Sequence, residues 1–293
     1  MKIDNELITF TIIAIVLASG LSYYYITGTA SGTDSAMVGV PLDDTYIHFQ
    51  YAKNLATYGK FYYNVGDEQT GATSPLWVII LGIVYKLGFD LISTSKIIGL
   101  FFHICSSIIL FSLLRRYVKN KTFAWLGGIV CLISPTLFFY SLSGMEVSLF
   151  VFLLLIIFRF FIQKKYDYVG VSLGFGILTR PEALILFGAL LLFAAWKKEK
   201  KMIKIFILAI IISAPWFIYC FLITGRPLPS TFYAKTESTG EIPLINAVLV
   251  FFWPVHEILF ALGTMVIFYG VIIKEYIKIF QDELKFFFAF TIV

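Results

Sequence analysis

The chain has 293 residues, of which 59% are hydrophobic and only 14% are charged, and its mean hydropathy is +0.87. A soluble domain carries about 25% charged residues, so this composition excludes a disordered chain and argues against a water-soluble globule. The three cysteines exclude a small disulfide scaffold. The net charge of +5 does not indicate nucleic-acid binding, because the basic residues stand in short clusters between long apolar runs. That pattern is typical of polytopic membrane proteins.

Long apolar runs predict the membrane-spanning helices. In chain order these runs cover residues 7–26, 97–114, 123–140, 147–162, 203–223 and about 247–273. A further apolar stretch, 168–196, is interrupted at its centre by Arg180, Pro181 and Glu182. Both of its flanks are rich in lysine, so we interpret it as a hairpin in which Pro181 opens the second helix.

The segment 75–92 is apolar over a shorter length, because Lys86 and Asp90 interrupt it. We expect it to dip into the membrane without crossing, and the alternative is two full crossings. This interpretation keeps the first loop, 27–74, and the basic cluster at 115–121 on opposite sides of the membrane.

Clusters of lysine and arginine give the orientation, because basic loops favour the cytoplasmic side. The N-terminus is then cytoplasmic, and the loops 27–74, 141–146, 179–182 and 224–245 face outward. The sequence therefore predicts an all-α polytopic protein of the cell membrane, with about eight membrane segments. We expect one transmembrane domain, 1–293, that is truncated at its C-terminus, because the last residues resemble the start of another span.

The first outer loop carries the segment with the most unusual residues, 43–60. Its apolar face recurs at helical spacing and comprises Ile47, Tyr51, Leu55 and Tyr58. The pattern predicts a short amphipathic helix that lies on the outer membrane surface. Asp43 is the expected N-cap residue, and Gly59 follows the last turn.

Two adjacent carboxylates, Asp43 and Asp44, begin this helix, and one of them is enough for a cap. A helix N-terminus favours an ionised carboxylate, which can act as a general base or bind a divalent cation. The alternative is that both residues only stabilise the helix. His48 follows Asp44 by one turn and is more typical of a polar contact than of a base.

Other ionisable residues stand in the outward loops. Ionisable groups at membrane depth are usually functional, although an Arg180–Glu182 pair would also anchor the hairpin tip. Arg226 and Lys235 favour an anionic partner such as a lipid phosphate, with simple headgroup contact as the alternative. Glu146 precedes an apolar run and is interpreted first as a helix-start acid, with a supporting role at the site as the alternative.

Together these segments resemble the GT-C glycosyltransferases, in the bacterial and archaeal branch related to mycobacterial arabinofuranosyltransferases. The resemblance covers about residues 1–240. In chain order its motifs are DDTYI (43–47), YAKNL (51–55), YNVG (63–66), TSPLW (73–77), SGME (143–146), LTRPE (178–182) and PSTFYAK (229–235). These motifs follow one another in the order that this branch shows.

The resemblance implies a membrane enzyme that transfers a sugar from a polyprenyl-phosphate donor. The acceptor would be a hydroxyl of a cell-envelope glycan, glycolipid or glycoprotein on the outer face, and the anomeric centre would be inverted. Asp44 would be the catalytic base, with Asp43 as the alternative or metal-side partner, and Lys235 and then Arg226 would contact the donor phosphate. The residues expected to line the cavity are His48, Glu146, Arg180, Glu182 and Tyr233.

A divalent cation, Mg²⁺ or Mn²⁺, at Asp43 and Asp44 is left open by the resemblance, and no other cofactor is expected. Relatives in this family are usually longer than this chain. Two alternative functions remain. One is a transporter or flippase for an envelope lipid or glycan, although no two-halves symmetry is visible. The other is a non-catalytic subunit of a glycan-assembly complex.

Overall fold

The computed structural model describes residues 4–28, 39–66, 68, 70–118 and 120–237. Apart from one isolated β-bridge between Tyr62 and Glu68, the regular structure in these ranges is helical. The helices are α1 (Asn5–Gly28), α2 (Asp43–Tyr58), α3 (Pro75–Lys86), α4 (Leu91–Tyr117), α5 (Lys121–Ile133), α6 (Pro135–Leu142), α7 (Val147–Ile162), α8 (Tyr166–Thr179), α9 (Ala183–Lys197), a 3₁₀ turn (Lys200–Met202), α10 (Ile203–Thr224) and α11 (Ser230–Glu237). The chain divides into two compact units, residues 1–156 and 157–293, which are described separately.

Three helical segments in the described ranges are long and apolar enough to cross a membrane: Asn5–Tyr25, Leu91–Tyr117 and Lys200–Thr224. At about 1.5 Å per residue they extend over about 30–40 Å, which matches a hydrocarbon core of about 30 Å. Their positions match the predicted spans 7–26, 97–114 and 203–223. The predicted span 247–273 lies outside the described residues.

The core of the first unit forms where α1, α4 and α5 meet. The rings of Phe10 and Phe111 stack with their centroids 4.2 Å apart, and Trp125 packs edge-on against both. Gly128 lies so close to the Phe10 ring that a Cβ atom there would overlap with it. These contacts hold the three helices together through close aromatic packing.

One end of α4 carries a set of ion pairs with the start of α1. Arg115 pairs with Asp4 and with Glu6, and Lys121 Nζ lies 2.6 Å from Glu6 Oε1. The first residues of α1 and the basic residues after α4 therefore lie at the same end of this helix bundle. That arrangement agrees with the prediction that puts both on one side of the membrane.

The boundary between α3 and α4 differs from the sequence prediction. Gly88, with φ of +87°, follows the end of α3, and the Asp90 carboxylate accepts a hydrogen bond of 2.8 Å from the Ser93 backbone N–H. Asp90 thus caps α4, so the prediction of one apolar segment over 75–92 is wrong at its C-terminal end. With its 12 residues, α3 extends over about 18 Å and is too short to cross a membrane alone.

The predicted run 123–140 is also divided. It forms α5 and α6, which meet at Ser134 with a bend of 47°. Pro135 is the first residue of α6 and cannot donate a hydrogen bond back into the preceding turn. Together the two helices are long and apolar enough for one bent span, or they form a re-entrant loop.

The second unit is built around α8 and α10. A Cβ atom on Gly170 would lie 2.7 Å from Ile205 O, and one on Gly174 would lie 2.7 Å from Ile212 Cβ. Because the contacts advance in the same direction along both helices, α8 and α10 run parallel. Their first turns are joined by an ion pair of 3.2 Å between Asp167 and Lys204.

The predicted interruption of residues 168–196 is present. Residues 180–182 separate α8 from α9. However, α9 begins only at Ala183. Pro181 therefore lies in the connecting turn and not in the first helical turn, where the sequence predicts it.

Candidate functional site

The acidic motif, which consists of Asp43 and Asp44, lies at the start of α2. Asp43 and Asp44 are its first two residues, and both side chains are exposed to solvent. Leu42 is the N-cap residue and no side chain caps the helix, so the prediction of Asp43 as the N-cap is wrong. Gly59 ends the helix as predicted, with φ of +72° and its N–H donating to Leu55 O at 2.9 Å. The two carboxylates stand at the end of the helix whose dipole favours negative charge.

The hydrophobic pattern predicts the buried face of α2 only in part. Ile47 is 36% exposed and Tyr58 is 52% exposed. Tyr51 of the predicted face is buried, together with Thr45, His48, Phe49, Ala52 and Asn54. Several of them are polar and meet polar partners in other segments, which an apolar periodicity does not detect. The helix packs against α3 in the same unit rather than standing alone at a surface.

Residues 143–146 contact the first turn of α2 from a distant part of the chain. The Thr45 hydroxyl donates a hydrogen bond of 2.9 Å to Ser143 O, and Trp77 Nε1 donates one of 3.0 Å to Gly144 O. Both bonds are buried, so their loss would leave unsatisfied carbonyl groups. Gly144 has φ of +79°, and a Cβ atom there would lie 2.6 Å from Thr45 Cγ2. Glycine is therefore required at the closest approach.

A buried pair of ionisable side chains lies one helical turn after the acidic motif. His48 Nε2 is 3.3 Å from Glu146 Oε2, and the two residues are only 4% and 3% exposed. His48 Nδ1 is buried without a hydrogen-bond partner among the described residues. Glu146 directly precedes α7, but its carboxylate lies against His48 and does more than begin a helix. This pair connects the loop 143–146 to the turn of α2 that follows Asp44.

The connection after α2 folds back onto the same helix. The Asn54 amide donates hydrogen bonds of 3.0 Å to both Tyr62 O and Tyr63 O, and Gln50 Nε2 donates one of 3.1 Å to Tyr63 O. Lys60 pairs with Glu68, whose carboxylate raises the pKa of Lys60. The sequence gives little signal for this folding-back, because the acceptors are backbone carbonyls.

The acidic motif and the basic cluster lie toward opposite ends of α4. Near the start of α4, Lys96 Nζ donates a hydrogen bond of 2.7 Å to Gly39 O, just before the acidic motif. At the other end, Arg115 pairs with the first residues of α1. Lys96 and Arg115 are separated by about 28 Å along the helix, at about 1.5 Å per residue. This is close to the thickness of a hydrocarbon core, about 30 Å.

The second unit contains the other predicted residues. Arg180 Nη2 lies 2.9 Å from Glu182 Oε1, and these side chains are 16% and 11% exposed. The Arg226 guanidinium lies over the Tyr233 ring at 4.8 Å, a cation–π contact. Lys235 belongs to α11, but its side chain lies outside the described part.

The predicted residues thus fall into two sets. Asp43, Asp44, His48 and Glu146 come together in the first unit. In the second unit, α8 and α10 are parallel, so the Arg180–Glu182 turn and the Arg226 loop both follow C-terminal helix ends that point the same way. The lysine-rich residues before α8 and α10 lie at the opposite ends of these helices.

A metal site is not complete in the described ranges. No group of three His, Cys, Asp or Glu side chains there is placed to hold a metal ion. Two carboxylates are enough for Mg²⁺ only where water and substrate oxygens complete its coordination.

Comparison with known proteins finds no matching family model, no matching curated protein and no matching solved structure. The resemblance to GT-C glycosyltransferases therefore stays a prediction based on motifs. Independently of that resemblance, segments 43–47, 73–77 and 143–146 meet through Thr45, Trp77 and the Ser143–Gly144 backbone.

Proposed function

We propose that this chain is a membrane glycosyltransferase that uses a polyprenyl-phosphate sugar and acts at the outer face of the membrane. The observation that carries the proposal is the meeting of three sequence motifs at the start of α2. Thr45, Trp77 and Gly144 are joined there by buried hydrogen bonds, although they are far apart in the sequence. The two exposed carboxylates, Asp43 and Asp44, directly precede Thr45 in the first turn of α2.

Rigid support is what a general base requires. Efficient proton transfer needs the carboxylate within about 2.6–3.2 Å of the proton donor, and small displacements of reacting groups are costly. The Thr45 and His48 side chains fix the first turns of α2 against residues 143–146. The helix dipole favours the ionised form of a carboxylate at this end. These features support Asp43 or Asp44 as a base.

We assign the base to Asp44 and a supporting position to Asp43. Residues four apart lie on the same helix face, so Asp44 shares a face with His48, one turn further along. His48 is in turn held by Glu146. Asp43 shares its face with Tyr46 and Gln50, on a neighbouring side of the helix.

The reaction follows from this assignment. Asp44 accepts the proton of an acceptor hydroxyl while the hydroxyl oxygen forms a bond to the anomeric carbon of the donor sugar. The bond from that carbon to the phosphate oxygen breaks, and polyprenyl phosphate leaves with the electron pair. Attack opposite the leaving group inverts the anomeric centre. A cationic side chain would neutralise the departing phosphate, as cations commonly do for phosphate oxygens.

The outer-face assignment rests on the separation of charge along α4. The basic residues at its C-terminal end favour the cytoplasmic side, and the acidic motif lies toward the other end. A sugar used outside the cell needs a carrier that crosses the membrane, because nucleotide sugars are too polar to do so. A lipid phosphate is such a carrier.

A transporter is the second candidate, favoured by one observation. The ion pair Arg180–Glu182 is largely buried at a break between two apolar helices, and broken helices with charged groups form binding sites in transporters. The two side chains pair with each other, however, and such a pair equally suits an anchor for the turn.

The proposal is tested with membranes that contain the full-length protein and a panel of radiolabelled polyprenyl-phosphate sugars. We expect release of free polyprenyl phosphate together with transfer of label to endogenous glycan. A matched experiment uses sealed liposomes with the purified protein and the same donors. Flux of intact donor across the liposome membrane, without release of polyprenyl phosphate, would instead support the transporter.

A further inference from the structure

An open cleft lies beside the acidic motif within the first unit. Its volume is about 520 Å³, inside the range of about 300–1,000 Å³ that is typical of small-molecule sites. The walls are formed by α2, the connection that follows it, and the turn between α3 and α4. The residues that matter for its chemistry are Tyr46, Gln50, Lys53, Asn64, Phe89 and Asp90.

Aromatic rings line this cleft and remain accessible to a ligand. Tyr46 is 46% exposed, Tyr63 and Tyr85 are each 39% exposed, and Phe89 is 59% exposed. The face of an aromatic ring carries partial negative charge. It therefore attracts the weakly positive C–H bonds on one side of a sugar ring, and that contact does not require a charged ligand.

The polar groups of the cleft suit a neutral ligand with many hydroxyl groups. Gln50 and Asn64 contribute amides, which both donate and accept hydrogen bonds. The two charged residues, Lys53 and Asp90, have opposite signs; hydrogen bonding from Ser93 is the main cause of the lowered pKa of Asp90, and the Lys53 charge lowers it further. Because these charges balance, the cleft does not select a phosphate or another anion.

The cleft is placed on the acidic-motif side of α2. Asp43, Tyr46, Gln50 and Lys53 follow one another at spacings of three, four and three residues, so they form one stripe along the helix. Asp43 and Gln50 are separated by about 10 Å along the helix axis. A ligand beside Gln50 therefore lies about 10 Å from the start of α2, on the side of the helix that begins with Asp43.

We propose that this cleft binds a neutral sugar ring of the acceptor glycan. That the bound sugar belongs to the acceptor rests on the proposed function, whereas the binding of a sugar in this cleft does not. The competing interpretation is that the aromatic residues contact lipid headgroups, as aromatic residues do at membrane interfaces. That interpretation predicts no binding of water-soluble sugars.

The test is saturation-transfer NMR on the full chain in nanodiscs, with the methyl glycosides of glucose, galactose, mannose and arabinose as probes. These probes are water-soluble and carry no lipid. We expect at least one of them to receive saturation from the protein. The Phe89→Ala variant should weaken its affinity by about two- to tenfold, the range expected for loss of one aromatic contact.

The matched control is Phe101→Ala, because Phe101 is 57% exposed on α4 and does not line the cleft. This control should leave the signal unchanged, and Asn64→Ala should weaken it. The inference is overturned if no glycoside binds the wild-type chain, or if the Phe89 and Phe101 variants behave alike.

The same samples separate this inference from the proposed function. Asp44→Asn should keep the sugar signal and lose transfer. The protein could bind a sugar through Phe89 and yet transfer nothing from any donor. That result would support the sugar site but contradict the proposed function and the assignment of the bound sugar as acceptor. Transfer that depends on Asp44, without any sugar signal, would support the proposed function and contradict sugar binding in the cleft.

Discussion

At the scale of single residues, the site depends on contacts between small groups. Thr45 and Gly144 approach so closely that the polar bonds beside them form only with a hydrogen atom at the Gly144 side-chain position. The left-handed backbone of Gly144 adds a second requirement for glycine. These two effects can be separated experimentally.

We predict that Gly144→Ala destabilises the protein much more than Gly88→Ala. Gly88 has a similar φ of +87° but has no atom within 4 Å of an added Cβ. Both variants carry the backbone cost of about 1–2 kcal/mol, whereas Gly144→Ala adds overpacking of about 1–3 kcal/mol. Thermal unfolding in detergent measures the difference. Equal losses in the two variants would contradict the tight contact at Thr45.

At the scale of helices, side-chain caps fix the starts of α4 and α5. The Asp90 carboxylate begins α4, and the Asn120 side chain begins α5 by accepting a hydrogen bond of 2.9 Å from the Thr122 N–H. Hydrogen bonding from Ser93 holds the pKa of Asp90 below its ordinary value of 3.8. The stabilising effect of Asp90 is thus present above about pH 4 and is lost as the pH falls through the lowered value.

Asp90→Ala and Asn120→Ala should each cost about 1 kcal/mol at pH 7, the usual value for a lost N-cap. When melting temperatures are measured at pH 3, the cost of Asp90→Ala should shrink, because the wild-type carboxyl is increasingly protonated there. The cost of Asn120→Ala should persist, since an amide does not titrate in this range. A pH-independent cost at both positions would argue against the Asp90 cap.

Helix packing in the second unit predicts opposite changes in stability for two glycine-to-alanine variants. Gly170→Ala places a methyl group 2.7 Å from Ile205 O and 2.9 Å from Leu208 Cβ, so it should destabilise the α8–α10 contact. Gly188→Ala on α9 meets no atom within 4 Å and should stabilise the helix by up to about 1 kcal/mol. Paired thermal melts provide the measurement. Two shifts of the same sign would contradict the close packing of α8 on α10.

The sequence predicts the long helices well, because their hydrophobic runs dominate every other signal. It misses the early start of α4, since the cap at Asp90 lies inside what looks like a charged interruption. It predicts the buried face of α2 only in part, since Tyr51 is buried as expected whereas Ile47 and Tyr58 are exposed. The face that packs contains Thr45, His48 and Asn54, whose partners are distant backbone and side-chain groups.

The candidate site was predictable in part for a similar reason. Adjacent carboxylates such as Asp43 and Asp44 are unusual in an apolar chain, so the sequence alone is enough to predict them as candidate site residues. The contact between His48 and Glu146 is not visible there, because nothing local pairs residues so far apart. The cleft at Tyr46 and Phe89 depends on folded geometry and leaves no motif.

At the scale of the whole molecule, charge separation along α4 leads to a topology that can be measured. In a chain with Cys105, Cys131 and Cys220 replaced by alanine, Val65→Cys should react with a membrane-impermeant maleimide in intact cells. Lys121→Cys should react only after permeabilisation. Both positions are well exposed, at 60% for Val65 and 69% for the Lys121 side chain. Labelling of both from the same side would contradict the proposed orientation.

The most direct measurement compares transfer from a polyprenyl-phosphate sugar by wild-type, Asp44→Asn and Asp43→Asn proteins in the same membranes. Loss of a general base typically lowers the rate by about 10²–10⁴-fold. We therefore expect that loss in Asp44→Asn with donor binding retained, and a smaller loss in Asp43→Asn. Transfer by Asp44→Asn at the wild-type rate would contradict the assignment of the base and, with it, the catalytic role of the start of α2.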